Sequence, residues 1–233
     1  PDVKFGKNVL IGKNVKIGEN SKIASNSIIE SNIKSGVAAW GRTRLGIEES
    51  IIRNNGQDEW ATGIEVWDSF FWIINSTIQN HNQGPGIWIS TNSTAVLYGN
   101  TIENGKDDGI TVNEGSVVRI GKPLDSEGNF RGNLIKGFEN GIQIRTGSHA
   151  ELMANTITNI EDTGIQVNGG SVAKIGDKPN GDGNPRGNTL TGPFEQGIRV
   201  SNNSHVQLIA NTITGYSRTG VEVSRNSSAE IGV

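Results

Sequence analysis

The sequence contains no cysteine, so disulfide bonds and thiolate metal sites are excluded. Hydrophobic residues make up only 33% of the chain and aromatic residues 6%, which leaves too little apolar mass for an ordinary layered core. No apolar run approaches the ~20 residues that a membrane-spanning helix needs, and no membrane span is expected. The net charge of −3, without a basic stripe, argues against nucleic-acid binding.

What the sequence has instead is glycine, with 32 residues, and a repeat of about 55 residues built from units of about 23. Asn100–Ala154 and Asn155–Ala210 are two copies of the long unit, and a third begins at Asn211 and reaches Val233. Self-similarity at a fixed period is typical of stacked supersecondary units, which need less apolar mass per residue than a layered domain.

Each unit of about 23 residues carries three short motifs in which apolar and polar residues alternate, as in half-buried β-strands. The apolar positions of the first motif are Ile64/Val66, Ile87/Ile89, Ile110/Val112, Ile142/Ile144, Ile165/Val167, Ile198/Val200 and Val221/Val223. Those of the second are Phe71/Ile73, Ala95/Leu97, Val118/Ile120, Ala150/Leu152, Ala173/Ile175, Val206/Leu208 and Ala229/Ile231. Those of the third are Ile78, Ile102, Ile135, Ile157, Leu190 and Ile213. Three such strands per unit predict one coil of a parallel β-helix, with coils ~4.8 Å apart.

An asparagine precedes the third motif in five successive units: Asn100, Asn133, Asn155, Asn188 and Asn211. Asparagine tolerates left-handed turns, and its amide can bond to the same residue one coil away. This ladder and the repeated NTIxN, DxGIxV and GSxAxIG blocks, over about residues 35–233, resemble right-handed parallel β-helix proteins of the pectate-lyase-like superfold. The resemblance implies an all-β, right-handed parallel β-helix of about eight coils with an asparagine ladder.

The first 34 residues have a different repeat, because isoleucine or phenylalanine and asparagine recur every six residues. The string FGKNVLIGKNVKIGENSKI resembles the hexapeptide repeat of left-handed β-helices, in which three hexads make one turn. We expect residues 1–34 to form a cap or lead-in and residues 35–233 to form the β-helix. A narrow right-handed start is the alternative for the lead-in.

Acidic residues precede the first motif in several coils and are candidate catalytic groups: Asp107, Asp108, Glu139, Glu161, Asp162 and Glu195. Glycosidases need two carboxylates at a defined separation, whereas lyases and epimerases need a base and charge neutralisation. His149 is a further candidate. The NTD, DD, GHG and RIK motifs of polygalacturonases are not found together, and neither is the RxPxxR motif of pectate lyases. A polysaccharide lyase, epimerase or hydrolase is therefore the alternative to a non-catalytic protein.

Two similar insertions, Gly121–Gly132 and Gly176–Gly187, lie between the second and third motifs of alternate coils. Arg131 and Arg186 would then lie in register and could contact a sugar. Asp177, Asn180 and Asp182 are spaced oxygen ligands of the type that Ca²⁺ prefers, although the EF-hand pattern is missing. We expect ordinary polar turns with no metal or other cofactor, and a calcium site is the alternative.

All five tryptophans precede residue 90, and the alternation predicts that Trp72 and Trp88 point outward. Exposed tryptophans offer flat faces for sugar rings, although they also mark protein interfaces or cover a junction between segments. With Arg131 and Arg186 they are the candidate carbohydrate-binding residues. The sequence thus predicts an extracellular or cell-surface scaffold, without catalysis, that binds polysaccharide or assembles with itself end to end.

Overall fold

The computed structural model describes residues 10–11, 22–23, 27–59, 61–121, 131–178 and 186–232. These residues form 24 β-strands, and no helix is found among them. Accordingly, this part of the chain has no helix that could cross a membrane.

The strands follow one another along the chain with short turns between them. In order they are β1 Leu10–Ile11, β2 Lys22–Ile23, β3 Ile28–Glu30, β4 Val37–Trp40, β5 Arg44–Glu48, β6 Ile51–Arg53, β7 Ile64–Trp67, β8 Phe70–Ile74, β9 Thr77–Gln79, β10 Ile87–Ser90, β11 Thr94–Tyr98 and β12 Thr101–Glu103. They continue as β13 Asp108–Val112, β14 Val117–Ile120, β15 Leu134–Phe138, β16 Asn140–Ile144, β17 His149–Leu152, β18 Thr156–Ile160, β19 Thr163–Val167, β20 Val172–Ile175, β21 Thr189–Val200, β22 His205–Ile209, β23 Thr212–Val223 and β24 Ser228–Gly232.

These strands form three parallel stacks, one for each side of a solenoid of about eight turns. The first stack contains β4, β7, β10, β13, β16, β19 and the carboxyl-terminal parts of β21 and β23. The second stack contains β2, β5, β8, β11, β14, β17, β20, β22 and β24. The third stack contains the remaining strands and joins the first because β21 and β23 run through both.

The register confirms the three predicted strand motifs residue by residue. Ile87 pairs with Ile110, Ala95 with Val118, and Ile102 with Ile135, each one coil away. The inward residues of all three stacks form one continuous buried core. The fold class predicted from the sequence, a parallel β-solenoid with stacked asparagines, is therefore confirmed.

The described strands of the lead-in segment continue the same stacks. Leu10 pairs with Ile28, a separation of 18 residues, whereas Ile28 pairs with Ile51, a separation of 23. Eighteen residues correspond to three hexads, the turn length expected from the hexapeptide pattern. Most of residues 1–26 lie outside the described part of the chain, and the boundary near residue 34 remains a prediction.

The predicted asparagine ladder runs through five coils. The backbone N–H and the Nδ2 of Asn133 both donate to Oδ1 of Asn155, each at 2.9 Å. The Nδ2 of Asn155 donates in turn to Oδ1 of Asn188 at 2.8 Å and to the carbonyl of Ile120 at 2.8 Å. Each buried amide thus satisfies polar groups on neighbouring coils, which the buried interior requires.

A second ladder, made of serine hydroxyls, stands at the start of the second stack. The backbone N–H of Ser69 donates to Oγ of Ser93, and that of Ser93 donates to Oγ of Ser116, both at 3.2 Å. A similar run links Ser171 to Ser204 further along. The Gly-Ser blocks of the repeat therefore have a structural reason, since each hydroxyl accepts a hydrogen bond from the preceding coil.

The corner between the third and first stacks changes from polar to apolar along the solenoid. Nδ2 of Asn32 donates to Oδ1 of Asn55 at 2.8 Å, and His81 Nδ1 lies 3.3 Å from the carbonyl oxygen of Asn55. Further along, Phe138 and Ile160 occupy paired positions at this corner. His81 is fully buried, and its Nε2 has no hydrogen-bond partner among the described residues.

We predict that replacing Asn155 by alanine lowers the free energy of unfolding by about 3 kcal/mol, because it leaves several buried donors and acceptors unpaired. Urea unfolding of the purified chain measures this change. The matched control is Thr156→Ala at the adjacent, exposed position, which should change stability by less than about 0.5 kcal/mol. Equal losses in the two variants would show that the ladder does not stabilise the fold.

We also predict a pH-dependent contribution from His81. Burial lowers the pKa of His81 from 6.5 to about 4, so the unfolded chain binds more protons between these values. The free energy of unfolding should therefore fall as the pH is lowered from about 6.5 towards 4, by up to about 3 kcal/mol in all. Subtracting the profile of a His81→Gln variant isolates the contribution of the imidazole. A difference that is flat across the range would contradict the prediction.

Candidate functional site

The outer surface of the first stack carries one side chain per coil in a straight row, and we call this surface the first face. The row follows from the alternation of the strands, because the residue between two buried residues points outward. In order along the solenoid the row is Glu65, Trp88, Thr111, Gln143, Gln166, Arg199 and Glu222. It spans roughly 30 Å at ~4.8 Å per coil.

Three tryptophans lie at the amino-terminal end of the first face. Trp40 pairs with Trp67 in register, and their ring centroids are 5.9 Å apart with a tilt of 31°. Trp67 meets Trp88 edge to face at 6.0 Å. Trp40 is 55% exposed and Trp67 39% exposed, so two of the three rings present broad surfaces to solvent. We call these three residues the aromatic row.

Polar side chains border the aromatic row. Arg42 and Asp68 lie in the turns after Trp40 and Trp67, and Nε of Arg42 is 3.9 Å from Oδ2 of Asp68. Glu65 is half-buried and accepts a hydrogen bond from Ser35 at 3.1 Å. Burial raises the pKa of Glu65, and the Ser35 hydroxyl partly offsets this effect. Flat rings beside charged and hydroxyl groups can recognise the apolar face and the hydroxyls of a sugar ring.

Asp108, at the start of β13, lies at the centre of a polar cluster on the same face. Its Oδ2 accepts a hydrogen bond from the Thr111 hydroxyl at 2.6 Å. Its Oδ1 accepts one from Asn140 Nδ2 at 3.1 Å and one from Gln143 Nε2 at 2.9 Å. Arg145 lies 3.7 Å from Oδ2. We call these five residues the polar centre.

Ionisation in the polar centre is shifted by burial. Asp108 is 1% exposed, and this burial raises its pKa to about 6, with a smaller contribution from the nearby Asp107 carboxylate. The hydrogen bonds from Thr111 and Asn140 and the charge of Arg145 act in the opposite direction and lower the pKa. Burial also raises the pKa of Asp107, and the charge of Arg145 acts against it. Two carboxylates and one guanidinium thus share this part of the face.

The other candidate catalytic residues lie outside the polar centre. Glu161 is exposed and Asp162 half-buried, and they lie in the turn before β19. Backbone hydrogen bonds stack Glu139 on Asp107 and Asp162 on Glu139, so these acidic residues line one edge of the first face. His149 lies on the second stack, exposed between Val117 and Val172, on a different side of the solenoid from the carboxylates.

Trp72 and Trp88 both point outward but lie on different stacks. The Nε1 of Trp72, on the second stack, donates to Glu48 at 3.2 Å, while Arg44 lies 5.8 Å from its ring. The Trp72 ring covers Gly46 so closely that a Cβ there would lie 2.1 Å from it. Trp72 is therefore fixed against its own neighbours, and only Trp88 belongs to the aromatic row.

The two insertions lie largely outside the described residues, as do Asn180 and Asp182. Of the two predicted arginines, Arg131 is half-buried, whereas Arg186 is 5% exposed and lies 4.0 Å from Asp177. Asp177 also accepts a hydrogen bond from Lys174 at 2.7 Å. Burial alone would raise the pKa of Asp177, but its bonds to Lys174 and Lys178 and the charge of Arg186 lower it overall. No group of three or more metal-binding side chains comes together in the described part of the chain.

Several residues of the first face were missed from the sequence: Trp67, Thr111, Asn140, Gln143 and Arg145. The sequence carries a signal for some of them, because alternation makes the residue between the two apolar positions of the first motif point outward. Thr111 and Gln143 could have been found in this way. Asn140 and Arg145 lie at the strand ends, where alternation gives no direction.

Comparison with known proteins finds one family. The sequence model described as a right handed beta helix region matches residues 3–137 and 117–232. The two matches overlap, as expected for a repetitive chain, and together they cover nearly all of it. No curated protein matches the chain.

The aromatic row predicts a spectroscopic signal, because indole rings about 6 Å apart couple when they absorb light. Replacing Trp67 by phenylalanine should remove the coupled component of the far-ultraviolet circular dichroism spectrum, since Trp67 contacts both other rings. Trp72→Phe, on the second stack, is the matched control and should leave that component in place. An unchanged spectrum for the Trp67 variant would contradict the observed stacking.

Proposed function

Since this chain belongs to the right-handed β-helix family, we propose that it is a polysaccharide-binding scaffold whose ligand lies along the first face. The observation that carries the proposal is the placement of an exposed aromatic row next to a polar centre on one side of one rigid sheet. Because polymers of this kind are met outside the cell, we propose an extracellular or cell-surface location.

The aromatic row supplies the apolar part of the proposed binding surface. Its rings are held by in-register strands, so little conformational entropy is lost when a ligand stacks on them. Trp40 and Trp67 expose enough ring area to cover sugar faces, and Trp88 supports Trp67 from the side. The Arg42–Asp68 pair at the edge offers both donors and an acceptor to ring hydroxyls.

The polar part of the surface supports a polymer as the ligand. The outward row continues for five more coils beyond Trp88 at ~4.8 Å intervals, with Thr111, Gln143, Gln166, Arg199 and Glu222. Thr111 is buried, and the other four side chains are partly exposed. A single sugar would contact only one or two of these positions. An extended chain could contact many of them, with each added unit meeting another coil.

The burial of Asp108 favours binding over catalysis by this carboxylate. A general acid or base must reach the atom that it protonates or deprotonates. Asp108 is 1% exposed and already accepts three hydrogen bonds from its neighbours. In the proposed function it orders the surrounding side chains, and a lyase, epimerase or hydrolase is the alternative.

We predict that Trp67→Ala weakens polysaccharide binding by about tenfold, because it removes one stacking surface and the support of two others. The measurement is affinity electrophoresis of the full chain in gels that contain hydroxyethyl cellulose, pullulan or polygalacturonate. Tyr216→Ala is the matched control, since Tyr216 is also an exposed aromatic residue but lies at a different corner of the solenoid. Retention that is equal in both variants and in the unmodified protein, or no retention at all, would refute the proposal.

A further inference from the structure

The polar centre fixes the direction of hydrogen bonding on the first face. Oδ1 of Asp108 accepts from the amide nitrogens of both Asn140 and Gln143, and an ionised carboxylate can only accept. The NH₂ group of Gln143 must therefore face Asp108. Because the oxygen of a carboxamide lies on the opposite side from its nitrogen's partner, Gln143 Oε1 is directed away from Asp108.

Gln143 and Arg145 are the members of this centre that a ligand can reach, and the Arg145 guanidinium lies 3.7 Å from Asp108. Gln143 is half-buried and outward-facing, as is Arg145, whereas Asn140, Thr111 and Asp108 are all buried. Within the described residues, Gln143 Oε1 accepts no hydrogen bond. Gln143 thus presents an oriented acceptor, which a hydroxyl can satisfy and an ionised carboxylate cannot. Polyuronates also carry hydroxyls, so selection against them needs the surrounding negative charge as well.

The charges around the polar centre also favour a neutral ligand over an anionic one. Asp107 and Asp108 contribute two carboxylates, and Arg145 contributes one guanidinium. Lys106 is an exposed cation next to Asp107, and Arg199 lies two coils further along the row. The adjoining edge carries Glu139, Glu161, Asp162 and Glu195, and none of these four has an ion-pair partner within the described part of the chain. An anionic polymer would meet like charge along this edge.

We propose that Asp108 makes the first face selective for neutral, hydroxyl-rich polysaccharides over polyuronates, by holding the Gln143 carbonyl oxygen towards the ligand next to the carboxylates of the adjoining edge. This inference rests on the proposed function, since it assigns the ligand class of the same face. Asp108 acts as a positioning residue, because it works through Gln143. Its raised pKa gives the selectivity a dependence on pH, because a protonated Asp108 is a weaker acceptor for the Gln143 amide than the carboxylate.

The binding test uses the full chain in the same gels. The unmodified protein should be retained by hydroxyethyl cellulose or pullulan at least about tenfold more strongly than by polygalacturonate. Gln143→Met should weaken retention by the neutral polymers about tenfold. Gln166→Met is the matched control, at the same position one coil later, where no hydrogen bond to Asp108 exists, and its effect should be smaller than that of Gln143→Met. Asp108→Asn should reduce the preference for neutral polymers.

A second measurement requires no polysaccharide. The side-chain amide signals of Gln143, assigned from their loss in Gln143→Met, are followed in ¹H–¹⁵N NMR spectra on both sides of the Asp108 pKa of about 6. They should shift with pH in the unmodified protein and stay constant in Asp108→Asn. Constant signals in both proteins would overturn the inference even if the variant misbehaved in the gels.

The outcomes separate the two proposals. Retention that depends on Trp67 but is equal for neutral and acidic polymers would defeat the selectivity and leave the binding function standing. Retention that does not depend on Trp67 would defeat the proposed face. If no polymer is retained, both proposals fail.

Discussion

The buried asparagine amides and the acceptor side of the buried serine hydroxyls are satisfied by groups one coil away, and the rest of the structure depends on that constraint. The asparagine amides bond to the next asparagine, and serine hydroxyls accept from the preceding backbone. A slip of one residue would turn each apolar side chain outward and break both ladders together. The coils therefore have one register, although the core contains only a few apolar residues from each.

Because buried residues fix the register, the outward positions of the strands can carry different side chains without changing the fold. The residue between Ile87 and Ile89 can be a tryptophan, and the residue between Ile110 and Val112 a threonine, without any change in the buried pattern. On the first face, aromatic residues lie at one end and hydrogen-bonding residues lie towards the other. The same principle gives the second stack its alternating charges, where Arg119 and Glu151 pair at 2.8 Å. Function and fold therefore occupy different residues of the same strands.

The fold could be predicted almost completely from the sequence, because the same alternation of apolar and polar residues recurs in every repeat. The inward residues of all three motifs and the asparagine ladder are both visible in the repeat and present in the structure. The polar centre is only partly visible. Asp107 and Asp108 stand out as neighbouring acids, but Asn140 is 32 residues from Asp108 and meets it only through the register. The burial of His81 against Asn55 depends on a corner that carries no repeated motif, so the sequence indicates only a turn there.

The asparagine ladder is insensitive to the length of chain between its members. Asn100 and Asn133 are 33 residues apart and Asn133 and Asn155 are 22 apart, yet both pairs join at 2.9 Å. The extra residues leave and re-enter the coil at one corner, between the second and third stacks. Since loop closure costs little more for a longer loop, this corner is where evolution can lengthen the chain with little loss of stability in the coil. New loops, and an engineer's grafted segments, would be accepted there more readily than at the serine-lined corner, where the chain turns within a few residues.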